Sequence, residues 1–151
     1  MRIWGAQIHV DHFSDHTYVH LMRDLSIEET LIAKEAYERY MKGHGHDVKG
    51  FRGDNGRFAD KGFRDSCDQN LQSLTFCGVG AHQQNGIVER RNQEITLIAR
   101  TMLLHAKRHW PEMITNMFWP FALKLAAERL NYFTENADGL SPQEVLSGCK
   151  T

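Results

Sequence analysis

A strand, a helix and a second strand in succession constrain this chain more than any other feature of its sequence. The run VKGFRGD predicts a strand, ADKGFRDSCDQN predicts a short helix, and QSLTFC predicts another strand. The glycine-bearing loop GDNGRF separates the first strand from the helix. Such an order is a crossover unit, in which a helix carries the chain between two strands of a sheet. The sequence therefore predicts an α/β fold.

Further elements are predicted on both sides of this unit. GAQIHVDHF and TYVHLMR, joined by the polar SDH, predict a β-hairpin. Ser26 is placed to cap an amphipathic helix that Gly43 ends. The longest periodic segment runs from Ile87 to about Lys107 and predicts a long helix. FWPFALKLAAERLNYF predicts one more helix, and SPQEVLSG predicts a capped single turn.

Composition and charge are those of an ordinary globular protein. The 151 residues are 41% hydrophobic and 25% charged, and no repeat or linker divides them, so residues 1–151 are predicted to form one domain. The chain lacks the apolar run of a signal peptide, and no stretch approaches the ~20 apolar residues needed to cross a bilayer. We therefore expect an intracellular protein without membrane contact. Because the net charge is −1, any DNA-binding surface must be local.

Cysteines and histidines show neither a disulfide framework nor the spacing of a zinc site. Cys67, Cys77 and Cys149 are too scattered to form a framework, and we expect the first two to be buried thiols. The nine histidines form no paired ligand set and are expected on the surface. Core packing beside the last long helix is the predicted role of four aromatic residues, Trp110, Phe118, Trp119 and Phe121.

Two carboxylates stand at the ends of predicted elements, each close to a glycine. Asp54 ends a strand within RGDNG, and Glu89 begins the long helix within QQNGIVERRN. Carboxylates at such ends can converge on a Mg²⁺ ion, which takes oxygen ligands and keeps several waters, so the pair suits phosphoryl transfer. An Asp-Asn-Gly sequence by itself equally fits a turn closed by an Asx-type hydrogen bond.

Five motifs, in order, resemble the integrase catalytic core of copia-type retrotransposons. They are VDHFSDHTYVHL, FRGDNGRFADKGF, AHQQNGIVERRNQEITLIARTMLLHA, FWPFAL and SPQEVLSG, and the resemblance covers residues 5–148. It implies a ribonuclease H-like fold, a mixed five-stranded sheet flanked by helices. It also implies that Asp54 and Glu89 are catalytic carboxylates that bind Mg²⁺ or Mn²⁺. The implied activity is DNA integration by two-metal phosphoryl transfer, in which 3′ ends are trimmed and then joined to target DNA.

One face of the long helix is suited to DNA. At about 100° per residue, Gln93, Arg100 and Lys107 share the stripe of Glu89, whereas Ile95 lies roughly opposite. Basic side chains there would contact phosphates without reading sequence, and an ordinary solvated helix face is the alternative. The resemblance adds two residues of the preceding loop. The residues predicted to bind nucleic acid are Gln84, Asn85, Arg90, Gln93, Arg100 and Lys107.

Two departures from the family pattern bear on activity. The family's first catalytic aspartate lies on a strand before VDHFS, where this sequence has MRIW, so that strand is expected to be missing. Asp11 and Asp15 are expected at the strand end and in the hairpin turn, away from the metal site. Loss of a central strand would leave two unpaired sheet edges, so we expect marginal stability. The spacing of 35 between Asp54 and Glu89 is one residue shorter than is usual in the family.

Three functions remain open from the sequence. The first is an incomplete integrase core, expected to be active only when the missing strand is supplied by a longer gene product or by another chain. It would act as a multimer on element ends and target DNA in the nucleus. The second is a catalytically inactive remnant of a retrotransposon polyprotein that still binds nucleic acid. The third is a ribonuclease H-like nuclease for RNA–DNA hybrids, over which the QQNG and ER motifs favour an integrase. In the second case the expected contacts are Arg90, Arg91, Arg100, Lys107 and Arg108.

Overall fold

Four strands and five helices make up the part of the chain that the computed structural model describes, residues 2–54, 56–76 and 86–150. The strands are β1 (Gly5–Val10), β2 (Thr17–Met22), β3 (Gly50–Gly53) and β4 (Ser73–Phe76). The helices are α1 (Ile27–Gly43), α2 (Lys61–Gln69), α3 (Gly86–His109), α4 (Trp119–Phe133) and α5 (Pro142–Ser147). Short 3₁₀ turns lie at Arg57–Ala59 and Asn116–Phe118. The order of strands and helices predicted from the sequence is confirmed.

The predicted crossover unit is present, and its two strands are parallel. β3 pairs with β4 so that Gly50 lies opposite Ser73 and Gly53 lies opposite Phe76. A Cβ atom at position 50 would lie 2.0 Å from Ser73 Oγ and 2.7 Å from the Ser73 carbonyl oxygen. The close pairing therefore requires glycine at the start of β3. The described strands form two two-stranded sheets, β1 with β2 and β3 with β4, where the resemblance implied five strands in one sheet.

Capping residues set the limits of α1 and α5. Ser26 has extended backbone, and its side chain accepts a hydrogen bond from the Glu29 N–H at 3.2 Å. Ser141 and Glu144 form a reciprocal capping box at the start of α5. Gly148 ends that helix at φ 68°, a left-handed conformation that favours glycine. Both helices begin where the sequence predicted, because their caps satisfy amide groups that a helix start leaves unpaired.

The described chain divides into two compact units. The first consists of Met1–Gln7 and His20–Ile87, and the second consists of Ile8–Val19 and Val88–Thr151. That residues 1–151 form one domain stays a prediction. None of the described helices is long and apolar enough to cross a membrane.

Aromatic packing around α2 builds the core of the first unit. Phe63 and Cys67 are fully buried, and the Phe63 ring meets Phe51 and Phe58 edge-on at centroid distances of 5.7 and 5.2 Å. Because this site removes Cys67 from water, burial raises the pKa of its thiol. The prediction of a buried thiol is confirmed for Cys67. Cys77 lies outside the described residues.

A buried lysine also belongs to this core. Lys34 is fully buried, and its Nζ donates a 2.6 Å hydrogen bond to Glu38 Oε1 within α1. The same Nζ lies 5.3 Å from the centre of the Phe51 ring. Gln72 Nε2 donates to the same Glu38 oxygen at 2.7 Å and to the Val48 carbonyl oxygen at 3.1 Å. Glu38 therefore joins α1 to the segment that leads into β4.

Small side chains of α4 fill the core of the second unit. Ala126 and Ala127 are buried, and Ile95 of α3 is fully buried. The large rings lie elsewhere: Trp110 is 57% exposed and Phe121 is 69% exposed, and Phe118 is exposed as well. Trp119 is half-buried. The prediction of core packing was therefore wrong for Trp110, Phe118 and Phe121. α4 turns its alanines inward and Phe121 outward, whereas the other two rings lie before α4, one just after α3 and one in the 3₁₀ turn.

The hairpin of β1 and β2 buries two histidines that were expected on the surface. His9 lies on the inward face of β1, where buried residues alternate along the strand with partly exposed ones. His16 is buried in the turn, where its Nε2 shares a 3.1 Å hydrogen bond with Gln143 Oε1. The prediction that histidines lie on the surface was wrong for this pair. Asp11 and Asp15 lie at the end of β1 and in the turn, as predicted.

Candidate metal and nucleic-acid site

Asp54 follows the last residue of β3 and is exposed. Its Oδ1 accepts a hydrogen bond from the Gly56 N–H at 3.2 Å, which closes the Asx-type turn expected of Asp-Asn-Gly. Gly53 is buried just before it, and a Cβ atom there would lie 2.7 Å from the Phe58 ring. The strand end is therefore tightly packed while the carboxylate is in solvent. The hydrogen bond of the turn occupies Oδ1, so Oδ2 is the oxygen that would bind a metal ion.

Glu89 lies in the first turn of α3 and is exposed. A negative charge at this end of a helix is favoured by the helix dipole and by the unpaired amide groups of the first turn. The buried side of α3 is formed by other residues, Ile95 and Ala99 among them. Glu89 therefore presents its carboxylate to solvent, as the periodicity predicted.

The two carboxylates have the chemistry that a divalent metal needs, since Mg²⁺ prefers hard oxygen ligands. Asp54 belongs to the first unit and Glu89 belongs to the second. That they share a metal ion stays a prediction. Within the described ranges, no three His, Cys, Asp or Glu side chains are grouped as metal ligands. An open cleft beside the Asp54 turn is lined by Ile27, Gly56, Ala59 and Asp60.

The exposed side of α3 carries most of the residues predicted to contact nucleic acid. Gln93, Arg100 and Lys107 are exposed, and Arg90 is exposed at the flank. At 1.5 Å per residue, Arg100 lies about 16 Å and Lys107 about 27 Å along the helix axis from Glu89. The predicted division of α3 into an inward and an outward face is confirmed, since Ile95 is buried. Gln84 and Asn85 lie outside the described residues.

Two exposed leucines also lie on this side of α3. Leu97 and Leu104 are both more than half exposed. They were not among the residues predicted for this surface, although their angles around the helix place them within about 80° of Glu89. The surface is therefore basic with apolar positions between the charges, and not uniformly polar.

Arg91 does not belong to this surface. It is only 9% exposed, and its guanidinium binds Asp15 and Thr17 of the hairpin turn. Including Arg91 among the nucleic-acid contacts was therefore wrong. The angle around the helix would have excluded it, because two residues after Glu89 correspond to about 200° of rotation.

Comparison with solved structures identifies the fold. The chain matches the HTLV-2 integrase catalytic core domain in complex with magnesium, in a trimeric form, with a TM-score of 0.71 and 20% identity over 93% of this chain and 82% of that one. The dimeric form of the same domain matches with the same TM-score and identity, over 93% of this chain and 83% of that one. The catalytic core domain of BIV integrase matches with a TM-score of 0.66 and 18% identity, over 92% of this chain and 82% of that one.

Sequence comparison adds no closer relative. No protein-family model matches the chain, and no curated protein shows significant similarity to it. The structural matches are below 25% identity and cover nearly the whole chain. They therefore establish the architecture: the chain has the ribonuclease H-like fold of retroviral integrase catalytic cores.

Proposed function

We propose that this chain is the catalytic core of a retroelement integrase, of the copia type, that joins DNA by metal-dependent phosphoryl transfer. The observation that carries the proposal is the position of two exposed carboxylates on an integrase-like fold. Asp54 follows β3, and Glu89 lies in the first turn of α3. These are the positions that the motif resemblance assigns to metal-binding carboxylates.

The proposed metal ligands are Asp54 and Glu89, and the ion is Mg²⁺ or Mn²⁺. When bound, such an ion supplies charge stabilisation for a phosphoryl oxygen and activates a water or a DNA 3′-hydroxyl. The protein supplies the position of each carboxylate, one through the packed end of β3 and the other through α3. The HTLV-2 domain whose fold this chain shares was solved in complex with magnesium.

We further propose that α3 holds DNA in the nucleus, where integration would take place. Arg90, Arg100 and Lys107 are exposed on the helix that carries Glu89 in its first turn. Arg90 would contact a phosphate near the reacting bond, and the other two would contact phosphates further along the DNA. Gln84 and Asn85 are proposed as contacts on the motif resemblance. Contacts of this kind position DNA without reading its sequence.

Calorimetric titration of Mn²⁺ into the purified chain tests the metal ligands. Asp54→Asn and Glu89→Gln should each abolish saturable binding, because each removes one carboxylate while preserving side-chain size. Asp65→Asn and Glu112→Gln are the matched controls, since both residues are exposed acids in other segments and should leave binding unchanged. Equal binding by all four variants would rule out the proposed ligands.

The alternative is a catalytically inactive nucleic-acid-binding remnant. The exposed basic residues of α3 favour it, because phosphate contacts do not need a metal ion. A strand-transfer assay with a labelled DNA duplex in Mn²⁺ separates the two functions. DNA binding together with no joined product, even when a strand bearing the family's first catalytic aspartate is joined upstream, would support the remnant and contradict the integrase.

We also propose that the chain forms a homodimer through the outer face of α4. Phe121, Leu125 and Tyr132 recur at helical spacing there, and all three are more than half exposed. In an antiparallel pairing of two copies about a two-fold axis near position 126, Lys124 of each helix would lie opposite Glu128 of the other. Both residues are exposed beside the apolar stripe. The apolar stripes of two copies would thus be flanked by opposite charges, and the same surface would serve both copies, as a two-fold interface requires.

A further inference from the structure

Arg91 makes three polar contacts from a buried position two residues after Glu89. Its Nη1 donates to Thr17 Oγ1 at 3.0 Å, and its Nη2 pairs with Asp15 Oδ2. Its Nε lies 3.5 Å from Glu94 Oε2 on the same helix. The guanidinium therefore joins the first part of α3 to the turn of the hairpin. All of these residues belong to the second unit.

The hairpin turn that Arg91 binds is held in place by other contacts. Asn131 of α4 accepts a hydrogen bond from the Thr17 N–H and donates one to the Thr17 carbonyl oxygen, each at 2.8 Å. Asp11 Oδ2 accepts from the Ser14 N–H at 2.8 Å and from its hydroxyl at 2.6 Å. Asp15 itself has φ 61°, a conformation that this closed turn imposes. Arg91 therefore binds a fixed anchor.

Arg91 is also the first buried residue of α3. Among the described residues of this helix, the buried ones are Arg91, Ile95 and Ala99. Without Arg91, the first buried side chain would be Ile95, six residues after Glu89 and more than one turn further along the helix. Helix ends fray unless side chains or packing hold them. The contacts of Arg91 are thus the buried contacts nearest to the turn that carries Glu89.

We propose that Arg91 is the positioning residue for Glu89. By binding Asp15 and Thr17 it orders the first two turns of α3 and holds the Glu89 carboxylate where the metal binds. This inference rests on the proposed function for the role of Glu89, but the ordering of the helix start can be measured without a metal. Residues that orient metal ligands typically change metal affinity 10–100-fold when they are substituted.

The test compares Arg91→Gln, Arg91→Lys and Asp15→Asn by amide hydrogen exchange of the full chain without metal. Arg91→Gln and Asp15→Asn should speed exchange about tenfold or more at residues 89–94 and leave α4 unchanged, because the anchor acts locally. Arg91→Lys keeps a charge that can pair with Asp15 and should restore part of the protection. Arg129→Gln is the control, since it removes an exposed arginine of the same unit.

Mn²⁺ affinity, measured by calorimetry on the same proteins, gives the second readout. Arg91→Gln should weaken binding about tenfold, and Arg91→Lys should weaken it less. Equal loss of protection in α3 and α4 would mean that Arg91 only stabilises the unit as a whole, and it would overturn the proposal. Faster amide exchange confined to residues 89–94, together with an unchanged affinity for Mn²⁺, would overturn it as well. A wild-type chain that binds no Mn²⁺ would refute the proposed function, and exchange alone would then decide whether Arg91 orders this turn.

Discussion

Removing one partner of the buried ion pair in α1 should destabilise the protein more than removing the other. At the 2.6 Å separation of Lys34 Nζ and Glu38 Oε1, and with an effective dielectric constant of about 20, the attraction is about 6 kcal/mol before desolvation. Desolvation offsets much of it, and it falls mainly on Lys34, because the Lys34 side chain is fully buried whereas that of Glu38 is 21% exposed. Removing the carboxylate leaves a buried charge, and removing the lysine does not.

Glu38→Gln should therefore lower the free energy of unfolding by about 3 kcal/mol, the low end of the range for breaking a buried pair, since the amide oxygen can still accept a hydrogen bond. Lys34→Met should cost less than about 1 kcal/mol, because a methionine fills the same space beside Phe51 and Glu38 keeps its hydrogen bond from Gln72. The assay is urea unfolding followed by far-ultraviolet circular dichroism. Glu35→Gln, an exposed acid on the same helix, is the control and should change stability by less than about 0.5 kcal/mol. A Lys34→Met variant as unstable as Glu38→Gln would refute the reasoning.

Three further predictions concern DNA, self-association and pH. Arg100→Gln should weaken DNA binding equally for all sequences and reduce the slope of log K against log salt by about 1, measured by fluorescence anisotropy; an unchanged slope would remove Arg100 from the interface. Leu125→Glu should convert a dimer to a monomer in sedimentation equilibrium, and a dimer of undiminished affinity would exclude the α4 face. Burial raises the pKa of the Cys67 thiol, so the folded state favours the protonated thiol. The stability that this protonated thiol contributes is complete below the pKa of an unfolded thiol, about 8.5, and is lost as pH rises through the higher pKa of the folded state. The difference in stability between wild type and Cys67→Ala should shrink over that alkaline range in urea titrations, and a constant difference would contradict the assignment.

Local patterns predicted the elements of this fold because each helix limit has a chemical cause at a nearby residue. Ser26 begins α1 as expected, and Ser141 begins α5 through a capping box. The glycine that stops α1 was misidentified, since Gly43 is still helical and the left-handed glycine after the helix is Gly45, at φ 84°. Hydrophobic periodicity predicted the inward face of α3, which is marked by Ile95. These signals act within a few residues, so a single sequence contains them in full.

Burial of particular polar and aromatic side chains was not predictable in the same way. Arg91 is buried against a hairpin turn that lies 74 residues away in sequence. Glu38, the partner of Lys34, is in turn bound by Gln72, which lies 34 residues away. Phe121 was expected in the core, but α4 buries alanines of its opposite side instead. Which face a helix buries depends on its neighbours, and periodicity alone does not identify them.

The candidate carboxylates were found from their places in the motifs, and the structure bears out their positions at the ends of elements. Asp54 was placed at a strand end and Glu89 at a helix start, and the structure has both there. A shared metal site stays a prediction, because Asp54 and Glu89 belong to two units assembled from distant parts of the chain. The role of Arg91 was missed for the same reason, since its anchor lies 74 residues away in sequence.

The hydrogen bonds between Thr17 and Asn131 can form only late, when the chain folds during its synthesis. The two residues are 114 positions apart, so at 5–20 residues per second a ribosome would make Asn131 about 6 to 23 s after Thr17. During that interval the backbone groups of Thr17 can bond only to water or to temporary partners. The second unit therefore depends on contacts of large sequence separation, and its core is complete only after α4 has been synthesised. A nascent chain that pauses before α4 would expose a hairpin whose turn is not yet held, and it would depend on that final segment to become protected.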